Sequence, residues 1–541
     1  MSKPPFSPLE LQAQLRSRVP LDKLQEKQIE NYICQANQDT FKCDHEVRAL
    51  YARIDQIRVA QAALSRSTFR HGSLLSPIRK LPLEILHRIF IFAAGVNVFG
   101  VKNKWDSTAF ILASVCYSWR EIALDYPTLW ASLAVSIEER AIYPTGLCIE
   151  RSKMYPLSLV LESEPYNWDD HHDDLLKLFL RQSGRWLKVD MSKVEMGTLD
   201  EIRDLPLLEE AYYSERSEGL LPRLKHAPRL RVLSFEDIPA TDAFSFENLT
   251  RITVNVPGSS DDPAPVRTLC EALCSCPNLT ECAYQSCRNI FGEDLAISGY
   301  ESLDAPLCAT SNIQTFEIDL YDRRGVFSEV SDVFASLTLP FIHTLSIRGD
   351  SPVVYGYHTA LWGEWPSVVM RDFIVRSDCH LTSLRLVGLP LSDTEVISFL
   401  NLTPALEHLS ISEVWANTDF PIGEHSVPFV NTVTKALIQR LTVPVLSQDV
   451  WSSQMYPLVP MLKCLRLRVH KHFDADSMFA QMVLSRWRVE NFMEEFPTQR
   501  IRTVVLNVVG RDLHMEMYVG LRELDVEGLM VTIIGNNKVW V

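Results

Sequence analysis

The chain has 541 residues, of which 46% are hydrophobic and 22% are charged, so it can bury large cores and is not disordered. Its formal net charge of -15 argues against a general role on nucleic acid or on an anionic membrane surface. The longest apolar stretch, around Ile89 to Val101, is broken by glycines and falls short of the roughly 20 residues that cross a bilayer.

The N-terminal sequence and the cysteines indicate where in the cell the protein is located. No apolar core of a signal peptide follows Met1, so we expect a soluble intracellular protein, located in the cytoplasm, the nucleus or both. The chain has twelve cysteines, which is not unusual at this length, and several lie in apolar strings. We therefore expect reduced thiols, most of them buried.

Residues 1–76 are predicted to form a helical lead-in. Pro20 interrupts the first helical segment, and Gly72 and Pro77 mark the end of the module. Between them, apolar residues recur at alternating spacings of four and three, which is typical of a coiled coil. The series comprises Ile29, Ile33, Ala36, Thr40, Cys43, Val47, Leu50, Ile54, Ile57 and Leu64, with the polar Gln61 before its last member.

A helix with such a narrow apolar stripe needs a partner. That partner is a second copy of the chain, the segment before Pro20, or the helices that follow. Thr40 and Gln61 weaken pairing between two copies, so a homodimer through residues 29–64 is an alternative and not the main prediction.

The next segment, from Pro77 to Trp130, contains three apolar motifs. The first is Leu81-Pro82-Leu83-Glu84-Ile85-Leu86, in which the proline suits the first turn of a helix. Leu81, Ile85 and Ile89 recur at helical spacing and give one apolar face.

The second motif has the same helical spacing, and the third closes the segment. The second comprises Leu112, Val115, Cys116, Trp119 and Ala123, and the third is Pro127-Thr128-Leu129-Trp130. Short helices cannot enclose so many large side chains between themselves. Some of these residues must therefore face either the rest of the chain, as the core of an ordinary helical subdomain, or another protein.

The three motifs, in this order, resemble an F-box of the kind found in fungal proteins, which follows a helical lead-in and precedes an irregular leucine-rich region. The resemblance covers roughly fifty residues. One departure is the segment from Ala93 to Ser107, which lengthens the link between the two halves of the box.

An F-box docks on the Skp-type adaptor of a cullin–RING ubiquitin ligase, so the resemblance implies that adaptor, and through it a cullin, as partners. It also implies a three-helix box in residues 77–131. The residues that would face the adaptor are Leu81, Pro82, Ile85, Ile89, Val115 and Trp119.

Residues 132–541 repeat one local pattern, in which an apolar residue is followed after three positions by a second and after two more by a third. Helical periodicity separates many of these strings, as in Val266-Leu269-Cys270-Leu273 and in Val396-Ile397-Leu400, where Ser392 is the predicted N-cap. The strings are Leu230-Leu233-Phe235, Leu249-Ile252-Val254, Leu279-Cys282-Tyr284, Ile313-Phe316-Ile318, Ile342-Leu345-Ile347, Leu381-Leu384-Leu386, Leu406-Leu409-Ile411, Leu462-Leu465-Leu467, Ile501-Val504-Leu506 and Leu521-Leu524-Val526.

Alternation of a short strand, a turn and a helix is the unit of a leucine-rich repeat, which buries its apolar face only against its neighbours. The usual asparagine of that repeat is absent, and the spacings are wider than the 20–29 residues of regular repeats. The stretch Val433-Leu437-Ile438-Leu441 fits a helix as well as a strand. We therefore predict a degenerate array with insertions, and a generic α/β domain is the alternative.

The predicted fold class is accordingly α/β. It consists of a helical lead-in (1–76), a three-helix F-box (77–131) and an irregular leucine-rich-repeat-type solenoid of alternating strands and helices (132–541).

Two clusters of potential ligands do not support a metal site. Five cysteines between Cys270 and Cys287 lack the paired C-x-x-C spacing of structural zinc sites. The run from Asp169 to Asp174 precedes an apolar helix, where acidic residues favour the positive helix end. The sequence contains no phosphate-binding loop, nucleophile elbow or H-E-x-x-H motif, so we expect neither catalysis nor a cofactor.

The predicted function is that of a substrate-recognition subunit of an SCF-type ubiquitin ligase, in which the repeat region binds an unidentified target protein. The alternative is a non-catalytic scaffold that self-associates through its coiled coil and has no role in ubiquitin transfer. A third hypothesis, an unrecognised enzyme, predicts a deep pocket with converging titratable groups.

Overall fold

The computed structural model describes residues 3–163, 170–194, 202, 204–214, 220–224, 226–235, 246–256, 264–286, 308–320, 326–349, 363–413, 431–443, 457–489, 498–536 and 538–539. The chain forms two compact units, residues 1–92 and 93–541. This boundary lies inside the predicted F-box segment, and the division into three domains at residues 76 and 131 stays a prediction.

The first unit is helical. Helix α1 (Pro8–Arg16) begins with a capping box in which Ser7 and Glu10 exchange hydrogen bonds, and helix α2 (Lys23–Leu74) begins with a second one at Asp22. Helix α2 has 52 residues and buries none of them. The predicted helix over residues 29–64 is thus confirmed, whereas its pairing with a second chain stays a prediction. A 3₁₀ turn (Pro77–Lys80) and helix α3 (Leu83–Ala93) follow.

The segment that lengthens the link between the two halves of the predicted box forms the first strands of the second unit. Strand β1 (Asn97–Phe99) pairs antiparallel with β2 (Trp105–Asp106), and Gly100 between them adopts a left-handed conformation. Helix α4 (Thr108–Val115) and helix α5 (Tyr117–Asp125) come next. The single helical run expected from Leu112 to Ala123 is therefore wrong, because the extended backbone of Cys116 divides it.

A parallel sheet dominates the second unit. Strands β3 to β9, β11 and β13 to β18 pair parallel in chain order, and β1 pairs parallel with β3. The short strands β10 and β12 form a separate pair, and β19 pairs antiparallel with β18. The strands are β3 (Ser132–Ser136), β4 (Leu157–Glu162), β5 (Trp186–Lys193), β6 (Glu210–Tyr213), β7 (Val232–Phe235), β8 (Arg251–Val256), β9 (Glu281–Ser286), β10 (Ala309–Thr310), β11 (Thr315–Leu320), β12 (Leu337–Thr338), β13 (Thr344–Gly349), β14 (Ser383–Val387), β15 (His408–Ser412), β16 (Cys464–His470), β17 (Thr503–Val509), β18 (Met530–Gly535) and β19 (Lys538–Val539).

Helices connect many of these strands and pack on the sheet. Phe334 of one helix contacts Phe316 of β11 edge-on, with ring centroids 6.1 Å apart, and contacts Phe373 of the next helix at 4.9 Å. The helices are α6 (Glu139–Arg151), α7 (Asp170–Leu180), α8 (Leu221–Leu224), α9 (Ala264–Ser275), α10 (Val326–Ser336), α11 (Ser367–Ser377), α12 (Asp393–Leu400), α13 (Lys435–Leu441), α14 (Asp476–Trp487) and α15 (Val519–Val526).

Side chains of the strands alternate between a buried and a partly exposed face. In β11, for example, Phe316, Ile318 and Leu320 are buried, whereas the residues between them are partly exposed. A parallel sheet covered on both faces reads as an uninterrupted apolar run, so this alternation identifies a sheet with one core face.

Nine of the ten predicted apolar strings coincide with strands, from β7 to β17. The tenth, Leu521-Leu524-Val526, is wrong: it lies in α15, because Leu521 and Leu524 are one helical turn apart and both are buried, whereas Val526 is 90% exposed. The ambiguous stretch around Leu437 is a helix that begins at the N-cap Thr434, and Ser392 caps α12 as predicted. No described helix is long and apolar enough to cross a membrane.

Candidate protein-binding surfaces

Four of the six residues predicted to contact an adaptor lie in or just before helix α3: Ile85 and Ile89 are in the helix, and Leu81 and Pro82 precede it. Pro82 directly precedes the helix, and its carbonyl accepts hydrogen bonds from the backbone N–H groups of Ile85 and Leu86, both at 3.1 Å. Leu86 and Phe90 are buried. By contrast, Leu81, Ile85 and Ile89 are exposed by 36 to 41%, and Pro82 is exposed as well.

The same helix exposes further apolar residues that the sequence analysis did not select. Phe92 is 88% exposed, and Leu83 and Ile91 are also exposed. They lie outside the single line of helical spacing that joins Leu81, Ile85 and Ile89, so the sequence pattern does not single them out. An apolar surface of this kind marks a site of protein interaction more often than a site left to water.

Val115 and Trp119, the other two predicted residues, lie in the second unit on either side of the break between α4 and α5. Val115 is 56% exposed, and Trp119 is partly buried. The Arg120 Nε–H group donates to the carbonyl of Ala113 across this break at 2.9 Å, which fixes the two helices to each other. Ile111 and Tyr117 on the same helices are exposed too.

The third predicted motif is part of the core and not of a binding surface. Leu129 and Trp130 are buried, and the Trp130 indole N–H donates to the carbonyl of Ala123 at 2.7 Å. The Phe110 ring meets that indole edge-on at 5.2 Å, and the Arg151 guanidinium lies over its face at 4.5 Å. Trp130 therefore joins α4 and α5 to each other and to Arg151 of α6.

Asn97 of β1 supplies a second anchor for α4. Its buried side-chain amide donates to the carbonyls of Leu129 and Ser132, at 2.8 and 3.1 Å. Its amide oxygen accepts a 2.5 Å bond from the hydroxyl of Ser107, and that hydroxyl also caps the first turn of α4. The inserted segment thus holds the exposed helices in one orientation.

The exposed face of the sheet carries charged residues in register. Strands β5 to β11 present the carboxylates of Asp190, Glu210, Glu281, Glu317 and Asp319, together with two cations. Both cations are paired: Lys188 lies 2.6 Å from Glu210, and Arg251 lies 3.3 Å from Glu281.

Strands β13 to β16 present arginines in place of carboxylates. One row across these strands reads Ser346, Arg385, Ser410 and Arg466, and the row beside it reads Arg348, Val387, Ser412 and Arg468. We call Arg348, Arg385, Arg466 and Arg468 the arginine cluster. All four side chains are exposed. Sequence analysis missed this cluster because its members lie far apart along the chain.

Two buried charged residues have a structural role near this part of the sheet. Arg486, fully buried, donates to the carbonyls of Leu441 and Leu458, and burial lowers its pKa to about 9, which leaves it charged at neutral pH. Burial raises the pKa of Glu413, and the backbone N–H groups of Val433 and His470 donate to its carboxylate and oppose that rise. These groups fix the end of α13 and of β16 to neighbouring backbone segments and do not face solvent.

Potential metal ligands in the described ranges do not converge. Within the described ranges, no three His, Cys, Asp or Glu side chains are placed to hold one metal ion. Four of the eleven described cysteines are buried, Cys270 and Cys282 among them, so the expectation that most are buried is wrong; Cys274 is exposed, and Cys287 lies outside the described residues. Of the acidic run, Asp169 lies outside them as well, and α7 begins at Asp170.

A concavity of about 370 Å³ between α11 and α12 does not bring reactive groups together. Its lining includes Trp365, Phe399 and Glu395, and the Glu395 carboxylate is engaged with Ser392 in the capping box of α12.

Comparison with protein-family models finds no match, and comparison with curated protein sequences finds none either.

Proposed function

We propose that the chain is the substrate-recognition subunit of an SCF-type cullin–RING ubiquitin ligase. In this proposal Leu81, Pro82, Ile85, Ile89, Val115 and Trp119 contact the Skp-type adaptor, which links the chain to a cullin. The observation that carries the proposal is that apolar side chains are exposed on α3 in the first unit and on α4 and α5 in the second, where hydrogen bonds of Trp130 and Asn97 hold α4 and α5 in place. Helices that are already held in place bind a partner helix at a low cost in conformational entropy.

The second part of the proposal is that residues 132–541 form a leucine-rich-repeat-type solenoid that holds the target protein. Parallel pairing of strands in chain order and a single core face support it, since each repeat buries its apolar side only against its neighbours. The chain itself would perform no chemistry and need no cofactor. It would place a lysine of the target near an activated ubiquitin, inside the cell and without nucleic acid or membrane.

Adaptor capture tests the first part. We expect Ile85→Glu combined with Val115→Glu to reduce recovery of a purified Skp-type adaptor at least about tenfold, because each change places a charge in an apolar contact. The matched control is Val368→Glu, at a residue of α11 that is 59% exposed. Equal recovery with the double variant and with the control would rule out the proposed surface. Unchanged thermal unfolding of the variants would show that both are folded.

The scaffold alternative is supported by α2, which exposes apolar side chains along its seam. Val47, Leu50, Ile54 and Ile57 are between 43 and 58% exposed. If the scaffold function is correct, the full chain sediments as a dimer and Leu50→Glu with Ile54→Glu makes it monomeric. The matched control, Arg53→Glu with Arg58→Glu, changes charges on the same helix outside the seam.

A further inference from the structure

The arginine cluster stands out because charge is segregated along the exposed face of the sheet. Strands β5 to β11 present five carboxylates in the rows described above. The outward positions of β13 to β18 in the same rows contain no carboxylate, but they contain the four arginines and His408. In a chain whose net charge is -15, this part of the surface is a local region of positive potential.

The pairing of the cations differs between the two halves. Lys188 and Arg251 form ion pairs with carboxylates on neighbouring strands, and Arg348 lies 3.4 Å from Asp319 at the border between the halves. Arg385 is close enough to Asp319 for its charge to act on that carboxyl, but among the described residues neither Arg385 nor Arg466 makes a direct ion pair or a side-chain hydrogen bond. Two guanidinium groups are thus left facing solvent with their donors available to a ligand.

The geometry between these two arginines suits an anionic group. Arg385 of β14 and Arg466 of β16 align with Ser410 of β15, the strand between them. Adjacent strands lie about 4.8 Å apart, so the two Cα atoms are about 10 Å apart across a serine. The small side chain of Ser410 leaves a gap between the two longer arginine side chains.

We propose that the arginine cluster is the binding site for a polypeptide segment that carries carboxylate or phosphate groups. Arg385 and Arg466 would each donate two parallel hydrogen bonds to the anionic group. A nucleic acid fits poorly, because its continuous backbone charge would meet the carboxylates of β5 to β11. The inference extends the proposed function by giving the chemistry of the target, and it does not depend on the adaptor.

Fluorescence anisotropy on the full chain tests this site. The probes are labelled decapeptides in which glycine alternates with glutamate, with phosphoserine or with lysine. We expect the two anionic peptides to bind, increasingly weakly as salt is added, and the lysine peptide not to bind. A tighter phosphoserine complex would identify phosphate as the preferred group, and equal affinities would show that a carboxylate suffices.

Charge reversal at the site provides the decisive comparison. Arg385→Glu with Arg466→Glu should weaken binding of the anionic peptides at least about tenfold, since it replaces two donors by two repelling charges. The matched control, Arg267→Glu with Arg522→Glu, alters the net charge equally at exposed positions of α9 and α15. Equal weakening by the two double variants would overturn the proposal, as would equally tight binding of a single-stranded oligonucleotide at the cluster.

The adaptor-binding proposal and the arginine-cluster proposal can be tested independently of each other. The Ile85→Glu and Val115→Glu chain should bind the anionic peptides like wild type, and the Arg385→Glu and Arg466→Glu chain should still recover the adaptor. Loss of peptide binding in the first of these chains would contradict the assignment to the arginine cluster.

Discussion

At the scale of single residues, several positions have to fit their neighbours closely. Inside the core, Arg486 donates to the carbonyl of Leu441 at the end of α13 and to that of Leu458, and the Glu413 carboxylate accepts from the backbones of two segments that lie far apart in sequence. Gly388 is a third such position. It follows β14 with φ of 66°, and its backbone N–H donates to the carbonyl of Ser412 at 2.8 Å.

Substitution of Gly388 tests how closely strands β13 and β14 approach at their ends. A Cβ atom at this position would lie 2.4 Å from the carbonyl oxygen of Gly349, which is backbone and cannot rotate away. At Gly363, where φ is 84°, a Cβ atom would meet no atom within 4 Å. We expect Gly363→Ala to cost about 1 kcal/mol for its left-handed conformation and Gly388→Ala to cost at least about 2 kcal/mol more. Denaturant unfolding measures both, and equal losses would contradict the close approach.

At the scale of elements, the segment from Ala93 to Ser107 shows what sequence could and could not predict. As a departure from the F-box pattern it was noticed from sequence alone, but its strand β1 was not predicted. Three residues are too few for a periodic signal, and β1 is held by pairing with β3 across more than thirty residues.

The larger strands were predictable because alternating apolar residues at fixed spacing report a half-buried strand directly. Strands β3 to β6 follow the same pattern, for example Trp130-Leu133-Val135 at β3, although the predicted series of strings begins only at Leu230. The arginine cluster could not be predicted in this way. Arg385 and Arg466 are 81 residues apart in number and become neighbours only through strand register.

Asn97 provides the test at this scale, since it joins β1, β3 and α4. Asn97→Ala would leave the buried carbonyls of Leu129 and Ser132 without a donor, so we expect the free energy of unfolding to fall by about 3 kcal/mol. Asn278→Ala is the control: this exposed amide makes one hydrogen bond, to the carbonyl of Glu247 at 2.7 Å, and its loss should cost under about 1 kcal/mol. Similar costs for the two variants would mean that Asn97 is not an anchor.

At the scale of the whole molecule, the N-terminal helices and the sheet unit differ in how they are stabilised. Neither α1 nor α2 buries a residue, whereas the sheet unit has a continuous apolar core from Leu133 to Ile533 in the described ranges. A helix that buries no residue contributes little to the free energy of unfolding, since packing of an apolar face supplies most helical stability in proteins.

Truncation therefore separates the contributions of the two. We expect the thermal unfolding midpoint of a chain of residues 75–541 to lie within about 2 °C of that of the full chain at the same concentration. The reason is that the deleted helices α1 and α2 bury no residue of their own. Differential scanning calorimetry measures this. A much lower midpoint would contradict the expectation. If the midpoint of the full chain rises with concentration and that of residues 75–541 does not, α2 associates with a second copy.

Each long strand pairs with the strands just before and after it in the chain. This order affects how the protein folds during its synthesis. A ribosome releases the N-terminal end first, so each newly emerged strand finds the edge of the previous one already formed. Each parallel pairing still joins residues well apart in the chain, such as His408 and Cys464, and pairing of this kind forms slowly. The unfinished edge stays open until the next strand arrives, and this interval is when a nascent chain of this kind most needs a chaperone.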